Sequence, residues 1–343
     1  MLDQPLSFFS NFDQYERYLS ATMVTFSMLG MGATLTVRDF ANTLSAWRGL
    51  AVGLVAQLVL VPIWAGLTLF AISLFPTGFG GLTAAGAIGI ATGIALIAAM
   101  PGGSLSNLLT FIGNGNVALS VSLTAVTTLI CLFATPIVLA ALVNVRVPGN
   151  FEIDKLQIML DIGQFLIAPL LAGMLCRRLS HSKQQVLFTK VMVRASLALL
   201  AMIIIGSLGA GRLQFGPYGW LGPAIIVVFG LGALYLSRLF TFTWGLIDRD
   251  SLAIVIEVVV KNGLLALLVV TSMFPAEMLA DRDSEDANLI IAARDGCIFV
   301  VLFFSGLAIV AGSSASMRGR KRRGREREAD LRKEADSTQQ GPV

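Results

Sequence analysis

An all-α polytopic membrane protein with about nine transmembrane helices is the fold that the sequence predicts, on three observations. The chain of 343 residues is 55% hydrophobic and only 13% charged, with a mean hydropathy of +0.78; a soluble domain carries about 25% charged residues. Its apolar residues gather into runs near the roughly 20 residues needed to cross a bilayer. Two of those runs are interrupted by helix-breaking residues beside polar ones. In hydrocarbon such a break is tolerated only where it is buried in protein or lines a wet cavity.

Taken in order, the runs are Tyr18–Leu35, Gly49–Leu74, Leu82–Gly113, Val117–Leu142, Ile158–Leu179, Ala195–Leu213, Trp220–Leu246, Leu252–Phe274 and Asn288–Gly312. Residues 1–17 precede them, carrying Asp3, Asp13 and Glu16 and no basic stretch, so they read as neither a signal nor a transit peptide. That points to a bacterial inner membrane rather than an organelle. The third run breaks at Met100-Pro101-Gly102-Gly103, because proline lacks the N–H and glycine stabilises no single conformer. The eighth breaks at Lys261-Asn262-Gly263. Residues 313–343 form a polar tail, whose nine basic and five acidic residues after Ser313 account for the whole formal excess of +4. That charge argues orientation or a hold on anionic lipid headgroups, not a nucleic-acid partner.

Basic residues sort the loops. Arg38 and Arg48 follow the first span; Arg177, Arg178, Lys183, Lys190 and Arg194 follow the fifth; Arg249 follows the seventh, and the tail follows the ninth. The opposite loops hold fewer: Arg146 and Lys155, then Arg212, then Arg282 among the acids Glu277, Asp281, Asp283, Glu285 and Asp286. The positive-inside rule then places the N-terminus outside and the C-terminus in the cytoplasm. The third and eighth spans run in opposite directions, five spans apart. Interrupted spans so related predict an inverted repeat with its binding site where the breaks cross.

The polar residues inside the spans carry the functional reading. Ser104, Ser106 and Asn107 follow the first break; Ser120 and Thr124, four apart, share one helical face; Gln57 is the lone amide of the second span. Glu257 lies mid-span, with Lys261 one turn on and Asn262 beside it. Together they form an all-oxygen set suited to a hard cation. Blander accounts stand beside this one. Ser120 and Thr124 could bond back to their own helix, and Glu257 could pair with Lys261 along one helix. An ionisable group at that depth is nevertheless functional by default. Asp161, Arg238, Arg294 and Asp295 are divided between structural pairing and a role in the pathway. Cys131, Cys176 and Cys297 read as buried spacers; no zinc spacing, nucleophile–base pair or phosphate-cradling loop is present, so an enzyme is not indicated.

The run PGGSLSNLLTF…GNVALSVSLTAVTTL (Pro101 to Leu129) resembles the bile acid:sodium symporter family, as do MLGMGATL (Met28 to Leu35), GLVAQLVLVP (Gly53 to Pro62) and EVVVKNGLLALL (Glu257 to Leu268). The resemblance implies a nine-span member with a transporter domain over 18–312. It divides that domain into a panel of spans one, five and six and a core of spans two to four and seven to nine. It implies a sodium site carried by Ser106, Asn107, Ser120, Thr124 and Glu257. A second site would use Gln57, Glu257, carbonyls near Val258 and Val260, and a glutamine where this chain has Lys261; an ammonium there replaces a cation. Ser104 and Asn262 would contact the substrate, a small organic anion; bile acids, pantoate-like acids and 2-oxo acids all fit.

Three functions stay open at this stage: sodium-coupled symport of the anion by alternating access, proton coupling through Glu257 and Lys261 without sodium, and a membrane anion sensor signalling through the tail. The topology is testable directly. An impermeant label added to intact cells should reach a tag at Met1 and miss cysteines placed after Ser313; the reverse pattern inverts the arrangement.

Overall fold

The computed structural model describes residues 12–36, 47–76, 78–143, 153–211, 215–275 and 285–339. Residues 1–11 and 340–343, and the loop residues Arg38, Arg146, Arg212, Arg282, Glu277, Asp281 and Asp283 used above for orientation, lie outside them. Among the described residues every regular element is helical. We number the helices α1 (Phe12–Gly32), α2 (Trp47–Leu74), α3 (Ala84–Ala99), α4 (Ser104–Ile112), α5 (Val117–Val143) and α6 (Lys155–Leu179). There follow α7 (Ser182–Gly209), α8 (Leu221–Thr243), α9 (Asp248–Val259), α10 (Gly263–Met273) and α11 (Glu285–Gln339). Six of them, α2, α5, α6, α7, α8 and α11, contain stretches long and apolar enough to cross a membrane.

The two interrupted runs are interrupted where the sequence breaks them. At a rise of 1.5 Å per residue, α3 is about 24 Å long and α10 about 16 Å, so neither spans a hydrocarbon core of about 30 Å. Each is completed across a break, α3 by α4 and α10 by α9. Helix α3 is buried along its length from Gly89 to Ala99 and packs against α2, α5 and α11. Helix α1 packs against α6, α7 and α10.

Two prolines distort their helices in the same way. Pro62 follows a π-helical turn at Ala56–Leu60 in α2, and Pro169 follows one at Ile162–Ile167 in α6. A proline ring clashes with the carbonyl one turn back, and a widened turn relieves the clash. The first of these turns holds Gln57.

Two expectations change in extent. The sixth span begins at Ser182 rather than Ala195, because Lys183, Lys190 and Arg194, read as loop for their charge, continue the helix N-terminally; Gln184 Oε1 accepts from the His181 N–H at its start (3.4 Å). The ninth runs on from Gly312 as one helix to Gln339, so the tail is an extension of α11 and not a separate segment. At its base Ser316 Oγ donates to the Leu109 carbonyl of α4 (2.7 Å), and Arg322 pairs with Asp248 of α9 (2.7 Å).

Close helix approach rests on facing glycines. A Cβ on Gly32 of α1 would stand 2.1 Å from the Leu170 carbonyl oxygen of α6, and one on Gly173 of α6 would stand 2.4 Å from that of Leu29. Backbone meets backbone there, the small-residue contact by which helices associate in lipid. Gly32→Leu should push α1 off α6 and cost about 1–3 kcal/mol, the usual penalty of overpacking. A thermal midpoint in detergent equal to the parent's would refute the contact.

Candidate functional site

The two breaks meet. The Gly103 N–H donates to the Val260 carbonyl (2.9 Å) and the Asn262 N–H to that of Pro101 (2.9 Å), forming a short antiparallel bridge between Gly102 and Lys261. Each break thereby satisfies backbone groups that the other leaves free, as hydrocarbon requires. Side chains take two further carbonyls. Thr135 Oγ1, on α5 just before Pro136, donates to the Ala99 carbonyl (2.9 Å), and Lys261 Nζ donates to that of Met100 (3.1 Å). Asn262 caps α10 by accepting from the Leu265 N–H on Oδ1 (3.1 Å).

Beside this crossing lies Glu257, fully buried near the end of α9. Three hydroxyls donate to its carboxylate: Ser106 of α4 by a short hydrogen bond, Thr124 of α5 at 2.6 Å and Ser120 of α5 at 3.3 Å. Asn107 Oδ1 lies 2.8 Å from Ser120 Oγ and 3.3 Å from Thr124 Oγ1. The carboxylate can approach because Gly102 has no side chain; a Cβ there would stand 1.8 Å from Oε1. Ser106, Asn107, Ser120, Thr124 and Glu257, singled out along 152 residues of chain, thus converge into one cluster of oxygens drawn from three helices.

The other sequence candidates fall around that cluster rather than in it. Gln57 is buried, and neither atom of its amide has a hydrogen-bond partner; its π-helical turn packs against α8 and α9. Lys261 is buried, but no ion pair joins it to Glu257, because α9 ends at Val259 and the lysine leaves the helix before its side chain turns to Met100. The intrahelical pairing considered above is thereby removed. Ser104 is exposed at the first position of α4; Asn262 is buried, and its cap leaves the amide NH2 as the group with donors to offer.

Sequence reasoning passed over Thr110 and Thr135. Thr110 is fully buried, and its hydroxyl lies 3.3 Å from Ser120 Oγ. It stands three residues after Asn107 on the same face of α4, a spacing that could have marked it. Thr135 had no such signal, since its partner lies in another helix. The cluster contains one carboxylate, three hydroxyls and one amide oxygen, and among the described residues no group of three His, Cys, Asp or Glu could hold a metal ion. Every donor atom in the cluster is oxygen, a set whose hardness suits a hard cation better than a soft one.

Comparison with known proteins identifies the lineage. The family model of sodium bile acid symporters matches residues 21–215. The chain belongs to the sodium bile acid symporter family. The match runs from within α1 to the end of α7, and covers Gln57 and the α4–α5 part of the oxygen cluster. Among similar proteins of this symporter family, "Probable sodium/metabolite cotransporter BASS1, chloroplastic" from Arabidopsis thaliana is 29% identical over 73% of this chain and 58% of its own length. "Uncharacterized sodium-dependent transporter YocS" from Bacillus subtilis is 29% identical over 52% of this chain and 48% of its own. "Sodium-dependent organic anion transporter" from Bos taurus is 29% identical over 40% of this chain and 33% of its own. The chain thus spans little more than half the length of the first of these. The family and these relatives are named as transporters, not enzymes.

The packing of Glu257 on Gly102 separates two neighbouring glycines. Gly102→Ala must displace the carboxylate, whereas a Cβ on Gly103 would meet the Lys261 carbonyl at 3.1 Å and need only a small shift. The first variant should lose about 1–3 kcal/mol more than the second. Equal thermal midpoints for the two purified proteins would contradict the geometry.

Proposed function

We propose that this protein is a secondary active carrier that takes up a small organic anion together with sodium by alternating access. The observation that carries the reading is the buried Glu257 carboxylate, held by hydroxyls of α4 and α5 at the point where two broken helices cross. A hard cation seated there gains one full negative charge and several neutral oxygens. Each hydroxyl then turns its proton away and offers a lone pair instead. Binding would tie α4, α5 and α9 together and fix the crossing in the shape that receives the anion. Ser104 and the amide NH2 of Asn262 stand at the N-termini of α4 and α10, where unpaired N–H groups and the helix dipole favour negative charge.

Lys261 gives the site its particular character. Its ammonium is buried against the Met100 carbonyl near the C-terminal end of α3, where the helix dipole favours a cation. We read it as a resident charge that takes the place of a second sodium, leaving the unpartnered Gln57 amide without an ion to bind. Nine crossings, an inverted repeat, a panel of α1, α6 and α7, a core of the remaining helices, an external N-terminus and a cytoplasmic tail in a bacterial inner membrane belong to the same reading. The mutual packing of α1 with α6 and α7 supports the panel.

Flux into proteoliposomes tests it, using a panel of bile acids, pantoate-like acids and 2-oxo acids. An inward sodium gradient should drive uptake, with a Hill coefficient near one. Glu257→Ala should abolish coupling. Asn107→Ala should raise the half-saturating sodium concentration roughly tenfold, about the loss of one charge-assisted contact. Lys261→Gln should steepen the sodium dependence. A wild type already steep in sodium removes the role given to Lys261. Uptake indifferent to sodium but driven by a proton gradient would transfer the coupling to protons.

A further inference from the structure

A further buried charge takes no part in the oxygen cluster. Asp161, in the first turns of α6, has a side chain only 3% exposed. Arg17 of α1 donates to both carboxylate oxygens, at 2.9 and 3.0 Å. Gln157 Nε2, one turn earlier in α6, donates to Oδ1 (3.0 Å), and Ser272 Oγ of α10 lies 2.5 Å from Oδ2. The carboxylate is therefore fully satisfied, and by three different helices. The sequence left Asp161 undecided between structural pairing and pathway.

Position decides more than satisfaction does. Helix α10 is capped by Asn262, inside the crossing, and Ser272 is in its final turn. The helix is thus a short rod with one end at the binding site and the other clasped by Asp161. From Leu265 to Val270 the helix is buried hydrocarbon, which packs without strong directional preference, and the Thr271 hydroxyl is spent on its own helix at the Leu268 carbonyl. On the clasp's other side α1 and α6 pack together along their length and meet backbone to backbone at Gly32 and Gly173, so Arg17 and Asp161 stand on one close-packed pair of helices. A hydrogen-bonded charge is directional and makes or breaks as a unit, whereas replacing such a pair with hydrocarbon often costs no stability. Its value lies in specifying one arrangement. The Arg17 side chain is 36% exposed and stands just before the apolar run that opens at Tyr18, which puts the clasp at the end of α1 nearest water, so neither charge need be stranded in hydrocarbon when it parts.

We propose that Asp161, Arg17 and Ser272 form a reversible clasp between the α1–α6 pair and α10, which holds the rod in the arrangement seen here and must open in every transport cycle. The proposal rests on the alternating-access reading, since it needs α10 to move against α1 and α6. Asp161 and Arg17 act through α10 and are positioning residues. They control which state the crossing occupies, not its affinity for the ion once formed.

The test uses the full chain in proteoliposomes, with Cys131, Cys176 and Cys297 replaced by alanine. In Ser272→Cys, the thiol should react with a water-soluble maleimide as the clasp opens. Adding Arg17→Gln, which weakens only the far side of the clasp, should speed that reaction about tenfold. Arg17→Lys should restore most of the slow rate. A disulfide formed in Asp161→Cys/Ser272→Cys should stop sodium-driven uptake, which reductant restores, while sodium still raises the thermal midpoint of the locked protein. Labelling unaffected by Arg17→Gln, or a locked carrier as fast as the reduced one, overturns the clasp. The maleimide readout needs neither sodium nor substrate. A protein that neither binds sodium nor transports therefore sinks the proposed function, while the labelling rates still decide the clasp.

Discussion

The exchange of two backbone hydrogen bonds between Pro101–Gly103 and Val260–Asn262 is the constraint on which the rest of the structure depends. Each break alone would be costly, because an unpaired peptide group in hydrocarbon forfeits several kcal/mol. Brought together, they pair, and Thr135 and Lys261 take up the carbonyls at the end of α3. The pairing sets the distance between α4 and α9, and that distance puts the Glu257 carboxylate against Gly102 and under Ser106. Helix α5, arriving through the tight turn after α4, then supplies Ser120 and Thr124. A defect in helix formation becomes a polar site without any dedicated loop or domain.

Much of this was legible in the chain. Proline and glycine at 101–103 have to break a helix, and a carboxylate within a run of valines has to find partners. The fourfold spacing of Ser120 and Thr124 states their common face outright. What the sequence could not state is where α9 ends. Counting one turn from Glu257 to Lys261 assumes a continuous helix, yet regular helix stops at Val259 and the lysine swings to another segment. Local spacing loses its meaning once the backbone leaves helical geometry. The same limit hid the widened turn that carries Gln57, since only Pro62, five residues on, hints at it.

Charge misled in one direction only. Lys183, Lys190 and Arg194 read as loop because they interrupt the hydropathy of the sixth run, yet α7 continues through them. Long basic side chains on a helix extend their ends to the aqueous boundary while the stems cover apolar surface, so a few of them need not end a helix. Asp161 is the opposite case. A lone acid near a helix start looked ambiguous because its partners, Arg17 and Ser272, stand more than a hundred residues away on either side. Buried charge in a membrane is partnered across helices, and that partnership is invisible to any window read along the chain.

As a resident cation, Lys261 would also change how the crossing meets the electric field of the membrane. With Glu257 negative and Lys261 positive, the empty crossing would carry no net charge, and the voltage would exert no net force on it. One sodium and one singly charged anion would add nothing to that sum. The field does about 2.3 kcal/mol of work per elementary charge per 100 mV. A carrier balanced in this way would leave that work unused and draw on the sodium concentration ratio alone. The side chain that fills a gap between two broken helices would thereby choose which of the cell's two energy stores the protein can draw upon.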